Sequence, residues 1–422
     1  MIQTWRKTSS ELIYSPNVIK DIHMKTIDGY DVKIFTDNIE DTAIEQIRQL
    51  LSIDVFSDCK IRIMPDVHVG AGCVIGFTGN LGDKVIPNIV GVDIGCGMLV
   101  QPFICNNPID FHALNEYILR AIPSGRDFRD ENYLPLSQKY SDIYQNAKQL
   151  ILQLRCYREL KEVRRLYKSI GSLGSGNHFI ELDKDESDLY YLVVHTGSRN
   201  LGKQVADIYQ KLAVKCQSGW DKLMVEKNRI IEEYKQAGRK SELQDVIRNL
   251  HNSFKTCKLT IPQDLCYLQG QFREDYLHDM HICQCWAQIN RKLIVNLIMD
   301  FIVGKGLASS EEHFQPFESV HNYIGNDNII RKGAISARLG EKCIIPLNMR
   351  DGSLICIGKG NGDWNFSAPH GAGRIMSRSQ AFKEISLEDF KKSMEDVYSE
   401  TVTEYTKDES PMVYKSKTLV SR

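Results

Sequence analysis

The chain has no long hydrophobic run. Its longest apolar stretch, near Leu293 to Val303, is interrupted by Asn296 and Asp300. That is too short and too polar to span a bilayer, so no membrane partner is expected. An apolar leader is also missing: Met1-Ile2-Gln3-Thr4-Trp5-Arg6-Lys7 has no signal-peptide core. The 12 cysteines contain no Cys-x-x-Cys pair and no regular framework. A reduced, cytoplasmic compartment follows, in which most cysteines are buried apolar fillers. Net charge is −1, so no global basic field exists. A polyanionic partner has to be held by a local patch.

With 422 residues, 42% apolar and 25% charged, the chain can bury a large core without staples. No internal repeat, low-complexity linker or domain boundary is visible. Asp31 to Phe35 reads as a strand and Asp41 to Leu51 as an amphipathic helix. Glycines and short apolar runs from Lys60 to Val100 suggest strands joined by tight turns, with Ile89 to Val92 as a buried strand. Asn146 to Ile170 is strongly helical, and Tyr190 to His195 is a second apolar strand. Residues 203–255 are charged and helix-prone, an expected helical insertion in which Asp221 to His251 forms a solvated pair. A long helix is expected from about Gln271 to Val303, strands from Arg331 to Gly373, and a late helix from Leu387 to Tyr405. The fold class is α+β: one compact mixed α/β catalytic domain over residues 1–422.

The segment Gly91-Val92-Asp93-Ile94-Gly95-Cys96-Gly97-Met98 sets a carboxylate three residues from a thiol, a reasonable start for a transition-metal site. Other ligands have to come from elsewhere, and histidines beside glycines and strand ends are the candidates. His178 follows a glycine-rich segment, Gly171 to Gly176, whose N–H groups either cradle phosphate or simply turn into a strand. His195 ends a strand before Gly197-Ser198-Arg199, as a ligand or as a structural cap. Arg199 can grip phosphate by a forked pair. His321 precedes Asn322 and Tyr323. His370 sits among small residues in Ser367-Ala368-Pro369-His370-Gly371-Ala372-Gly373-Arg374; a neutral imidazole there is a ligand, a base, a nucleophile or an ordinary loop histidine. His68 lies in an apparent Pro-Asp-Val-His-Val-Gly turn. Arg155, Arg158, Lys161, Arg165 and Lys168 recur at helical spacing just before the glycine segment, reading as a solvated face or an anion-guiding surface.

Taken in order, nine segments resemble the RtcB RNA ligases, the tRNA-splicing ligases that use GTP and manganese. They are Met64-Pro65-Asp66-Val67-His68-Val69-Gly70, Val92-Asp93-Ile94-Gly95-Cys96-Gly97, Gly176-Asn177-His178-Phe179-Ile180-Glu181, His195-Thr196-Gly197-Ser198-Arg199, Asp279-Met280, Asn290-Arg291, His321-Asn322-Tyr323, Arg331-Lys332-Gly333-Ala334 and His370-Gly371-Ala372-Gly373-Arg374. The resemblance implies that Asp93, Cys96 and His178 hold one metal, and Cys96, His195 and His321 the second. It implies that His370 becomes covalently guanylylated. It puts Asn177, His178, Phe179, Ile180, Glu181, His321, Asn322, Pro346, Leu347, Asn348, Met349, Ser353, His370, Gly371, Ala372 and Gly373 around the guanylate, with Tyr414 against the base. The implied substrates are GTP and RNA bearing 3′-phosphate or 2′,3′-cyclic phosphate and 5′-hydroxyl ends. The ligand set is borderline-soft and also suits zinc or cobalt, so manganese rests on the resemblance.

The chain departs from the family pattern in two places. Pro346-Leu347-Asn348-Met349 stands where the family has Pro-Gly-Ser-Met. The tail Lys417-Thr418-Leu419-Val420-Ser421-Arg422 is shorter than the family's and does not end in lysine. Two other readings follow: a two-metal phosphohydrolase or 3′-phosphate capping enzyme without efficient sealing, or an inactive relative that binds RNA ends. No activating protein partner is named by the sequence.

Overall fold

The computed structural model describes residues 2–4, 24–309 and 314–414. The tail from Lys415 onward therefore lies outside the described residues, as do His23 and His313. The fold is α+β, with two main sheets. The first is five-stranded, in the order Ile2–Thr4, Phe179–Lys184, Leu189–Thr196, Gly97–Ile104, Phe317–Val320. The second is six-stranded, in the order Asn322–Ile324, Ile329–Lys332, Ile75–Asn80, Ile61–His68, Val32–Ile34, Lys25–Thr26. The helix Gly270–Gly304 packs against the first sheet, and its Tyr276, Met280 and Trp286 join the core cluster that also takes Ile63, Phe77 and Ile330 of the second. None of the described helices is long and apolar enough to cross a membrane.

Period-two alternation gives the five-stranded sheet two different faces. Ile180, Leu182, Leu192, Val194 and Leu99 pack with Ile294 and Ile298 of the long helix. The other face gathers Met98, Val100 and Val193 under Ile344, with Phe179 and Phe317 beside them. Register brings the chemistry to one end of this second face. Met98 lies opposite His195, and Phe179 lies opposite His195 from the other side. Val320 pairs with Gly97, so Cys96 and His321 lie at adjoining strand ends. Gly97 permits that approach: a Cβ there would sit 2.5 Å from Ser319 O.

Several expectations hold closely. The helix Asp41–Leu51 and the strand Leu189–Thr196 lie where periodicity put them. Residues 203–255 are helical in the segments Arg199–Gln217, Trp220–Gln236 and Leu243–Ser253. Four expectations are corrected. Ile89 to Val92 is no strand: Pro87 opens a short helix, Pro87–Val90, which Gly91 ends at φ 92°. The expected helix Asn146 to Ile170 breaks into Ser141–Leu152, a 3-10 turn Tyr157–Glu159, and Val163–Lys168. Buried Asp279 of the long helix accepts from the backbone N–H groups of Arg155 and Cys156 at 2.8 and 3.0 Å, diverting them from the helical ladder. The late helix covers only Leu387–Ser393. Beyond it, Thr403 N donates to Thr406 Oγ1 at 3.1 Å, a local side-chain bond that competes with helix. His68 ends the strand Ile61–His68 rather than sitting in a turn.

Candidate metal centre and nucleophile

Cys96 lies at the middle of two ligand clusters. One contains Asp93, Cys96 and His178; the other contains Cys96, His195 and His321. Cys96 Sγ is 3.4 Å from His178 Nε2 and 3.3 Å from His195 Nε2. His178 Nε2 is 2.9 Å from Asp93 Oδ2, and the Nε2 atoms of His195 and His321 are 3.0 Å apart. All three histidines and Cys96 are buried, while Asp93 is half-buried. Gly197 makes room for Asp93, since a Cβ there would fall 2.1 Å from its Oδ1.

The surroundings favour ligand forms. His178 Nδ1 donates to Leu173 O and His195 Nδ1 to Asn177 O, both at 2.9 Å. These carbonyls fix Nδ1 as the donor; the Nε2 of His195 then turns its lone pair toward Cys96, while His178 Nε2 is shared between Cys96 and the Asp93 carboxylate. Burial, then the proximity of His178, lowers His195 to about 3. Burial, then His370 and His195, likewise pushes His321 well below its ordinary value. Both rings are therefore neutral, as metal ligation requires. Burial and the Asp93 carboxylate hold the Cys96 thiol well above its ordinary range. Asp93 is held low: burial opposes its charge, but the hydrogen bond and charge of His178 outweigh that. Buried bare nitrogens facing one another around a thiol fit a pair of divalent cations, which would deprotonate the sulfur.

His370 stands beside the second cluster, its ring 5.0 Å from that of His321 between centroids. Its Nδ1 lies 2.7 Å from buried Asp66 Oδ2, which also accepts from His370 N at 3.1 Å. With Nδ1 donating, Nε2 keeps its lone pair and is free to attack. Asp66 was quoted in the sequence motifs without a role. Its place in a short Pro-Asp step before His68 gave no signal of the pairing, because the two residues are 304 positions apart.

A second unassigned pair, Asn290 and Arg291, clamps the ligand-bearing segments together. Asn290 Oδ1 accepts from Gly171 N at 2.7 Å, and its Nδ2 donates to Ser172 O at 3.0 Å. Arg291 Nη1 donates to Gly95 O and Thr196 O, both at 2.8 Å, and Nε donates to Glu318 Oε1 at 3.1 Å. Gly95 adjoins Cys96, Thr196 adjoins His195, and Glu318 precedes His321. One buried arginine thus braces three ligand segments. Two buried polar residues in the apolar middle of a long helix were the available sequence signal.

The residues expected around a guanylate are spread over several walls. Asn322 Nδ2 donates to Asp93 O, and its Oδ1 accepts from Gly333 N. Ala372 N donates to Pro346 O at 3.1 Å, joining the Pro346–Met349 segment to the loop after His370. Asn348 is spent on the turn, accepting from Arg350 N and Asp351 N. Leu347 and Met349 are buried, and Ile180 points into the opposite core. Phe179 packs edge-on against His195. Glu181 and Asp183 are buried neighbours on the Phe179 side, where burial raises both carboxyls, Asp183 to about 7. Glu181 Oε1 and Ser353 Oγ are buried with no hydrogen-bond partner among the described residues. Tyr414 accepts from Arg374 Nη1 at 3.2 Å and donates to Glu409. Gly371 and Gly373 flank Ala372 in the same loop.

The basic candidates do not share one helix face. Arg155 pairs with Asp275 at 3.4 Å, and Arg158 lies in the 3-10 turn. Arg165 and Lys168 lie on the short helix. Arg199 is half-buried, donating to Ser172 Oγ at 3.2 Å and Gly125 O at 2.9 Å. It ties the glycine segment at Ser172 to Gly125.

The family model described as "tRNA-splicing ligase RtcB" matches residues 46–422. The RNA-splicing ligase RtcB of Escherichia coli K12 is 30% identical over 380 residues, covering 84% of this chain and 83% of the relative. The tRNA-splicing ligase RtcB of Methanococcus maripaludis is 24% identical over 459 residues, covering 91% of this chain and 87% of the relative. In Mycobacterium bovis, an RNA-splicing ligase RtcB is 23% identical over 403 residues, covering 78% and 84%. With a model match across most of its length and the double ligand cluster around Cys96, this chain belongs to the RtcB family.

Proposed function

We propose that this protein is a GTP- and manganese-dependent RNA ligase, joining 3′-phosphate or 2′,3′-cyclic phosphate ends to 5′-hydroxyl ends. The observation that carries this reading is the nucleophile-ready His370, paired to Asp66 at 2.7 Å beside the metal ligand His321. Asp93, Cys96 and His178 would hold one cation, and Cys96, His195 and His321 the other, with Cys96 shared. Zinc or cobalt would also suit these donors. When bound, the two cations supply charge stabilisation to attacking and leaving oxygens of an in-line displacement.

His370 Nε2 attacks the α-phosphorus of GTP, forming an N–P bond as the bond to pyrophosphate breaks. Asp66 holds the Nδ1 proton and stabilises the positive charge that develops on the ring. An oxygen of the RNA 3′-phosphate then takes the guanylate, breaking the N–P bond. The 5′-hydroxyl oxygen attacks the activated 3′-phosphorus and GMP leaves. A cyclic phosphate is first opened by water. Buried Glu181 Oε1 and Ser353 Oγ, without partners among the described residues, support a ligand that hydrogen-bonds to each. Asn177, Asn322, the Pro346–Met349 backbone, Gly371 to Gly373 and Tyr414 complete the proposed cradle. Arg165, Lys168, Arg158, Arg155 and Arg199 are the proposed contacts to RNA phosphates.

RNA carrying one 3′-phosphate and one 5′-hydroxyl end tests the reading when incubated with GTP and Mn²⁺. A joined strand is expected. Loss of the terminal phosphate, or a capped end that never seals, would instead support a phosphohydrolase or a capping enzyme.

A further inference from the structure

Residues 123–134 connect the helix Phe111–Ala121 to the next turn and lie along the glycine segment. Leu173 N donates to Pro123 O at 2.8 Å, and Gly125 N donates to Gly174 O at 2.8 Å. Leu173 O in turn accepts from the metal-cluster ligand His178. On the far side, Arg129 N donates to Lys168 O at 2.9 Å, and Arg165 Nη2 donates to Arg126 O at 3.0 Å. The loop is therefore fixed between the ligand cluster and the basic helix Val163–Lys168.

Phe128 sits in the middle of this loop, and its ring is only half-buried. The Arg165 guanidinium lies 5.1 Å from the ring centroid and the Lys168 ammonium 5.8 Å. Phe128 belongs to none of the hydrophobic clusters among the described residues. Arg126 and Arg164 are exposed nearby. The loop's own acids bond locally, Asp127 accepting from Tyr133 Oη at 2.8 Å and Asp130 from Asn132 N at 3.0 Å, and Arg165 also pairs with exposed Glu162 at 3.4 Å, a contact that an RNA phosphate would have to compete with. A partly exposed aromatic flanked by cations is the pattern that binds single-stranded nucleic acid, the ring stacking on a base while the cations take phosphates.

We propose that Phe128, Arg165 and Lys168 form a platform for an unpaired base of the RNA strand entering the metal centre. The proposal rests on the ligase reading and adds to it a single-stranded substrate end, read by stacking rather than by sequence. A paired end would hide its bases from the ring, so unpaired ends bind better.

The test is fluorescence anisotropy with the full-length protein and a 5′-hydroxyl single-stranded RNA, compared with the same RNA carrying abasic nucleotides near that end. Phe128→Ala is expected to weaken binding of the normal RNA by about 5- to 100-fold, while Phe128→Trp retains it. Abasic RNA should bind the native protein as weakly as normal RNA binds Phe128→Ala, with no further loss when both changes are combined. Melting temperature and metal content check that the variants fold. The proposal is overturned if Phe128→Ala binds normally, or if it weakens normal and abasic RNA equally, since the ring would then only prop up Arg165 and Lys168. Absence of binding by the native protein overturns it too. Labelling with GTP is run alongside: base-sensitive binding without a protein–GMP adduct leaves the platform standing and removes the ligase reading.

Discussion

Replacing Arg291 by Met tests whether one residue holds the ligand segments together. The substitution strands Glu318 without its cation and leaves Gly95 O and Thr196 O without a buried donor. Breaking a buried charge pair by removing one partner costs about 3–5 kcal/mol. Unfolding entropy of about 2.1 cal/mol/K per residue, over 422 residues, gives about 0.9 kcal/mol/K. The metal-free variant should therefore melt about 3–6 °C below the native protein. Metal affinity should fall about 10- to 100-fold, the usual effect of losing a group that orients ligands. Glu318→Gln in the Arg291→Met background should restore part of the loss, with a coupling of about 0.5–3 kcal/mol, because no unpaired charge remains. Thermal melts of the four proteins and titration with Mn²⁺ give every number needed. If Arg291→Met melts within about 1 °C of the native protein and binds Mn²⁺ as tightly, the clamp is refuted.

Three further outcomes follow from the same geometry. Asp66→Asn should slow attachment of labelled GMP by about 10²- to 10⁴-fold while leaving metal content unchanged, because the His370 tautomer loses its anchor; an unchanged rate on a rapid-quench time course removes Asp66 from the mechanism. Burial raises the Glu181 and Asp183 carboxyls above their ordinary values, so the folded chain holds a proton that the unfolded chain releases. That contribution is complete below about pH 4 and is lost as pH rises through about 7; Asp183→Asn should therefore gain stability over the native protein at pH 8 relative to pH 5, and parallel melting profiles would refute the pair's role. Because burial and Asp93 keep the Cys96 thiol protonated, divalent metal should displace a proton, and apparent affinity should rise about tenfold per pH unit between pH 6 and 8. Calorimetry in buffers of different ionisation heat reads that proton directly, and a Cys96→Ser protein provides the comparison.

Much of the candidate centre was legible because its candidate ligands carry strong local signals. Asp93 and Cys96 stand three residues apart among glycines, and His178, His195 and His321 each adjoin a strand end, where register delivers them to one point. The strand at Ile89 to Val92 was misread because apolar runs of that length do not distinguish strand from helix, and Pro87 decided the matter. The basic helix before the glycine segment was misread for a different reason. Its residues have helical propensity, but Asp279, more than a hundred positions away, takes the backbone donors at Arg155 and Cys156. The pairing of Asp66 with His370 and the clamp by Asn290 and Arg291 were invisible for that same reason. Each joins segments distant in sequence, and neither leaves a spacing pattern.

The central claim is that His370 carries the guanylate. Native protein incubated with α-labelled GTP and Mn²⁺ should retain label on a denaturing gel, in an adduct that acid releases and alkali preserves. His370→Ala should bind metal normally and retain none. Label that persists on the His370→Ala protein, or a metal-loaded native protein that never acquires it, contradicts the account.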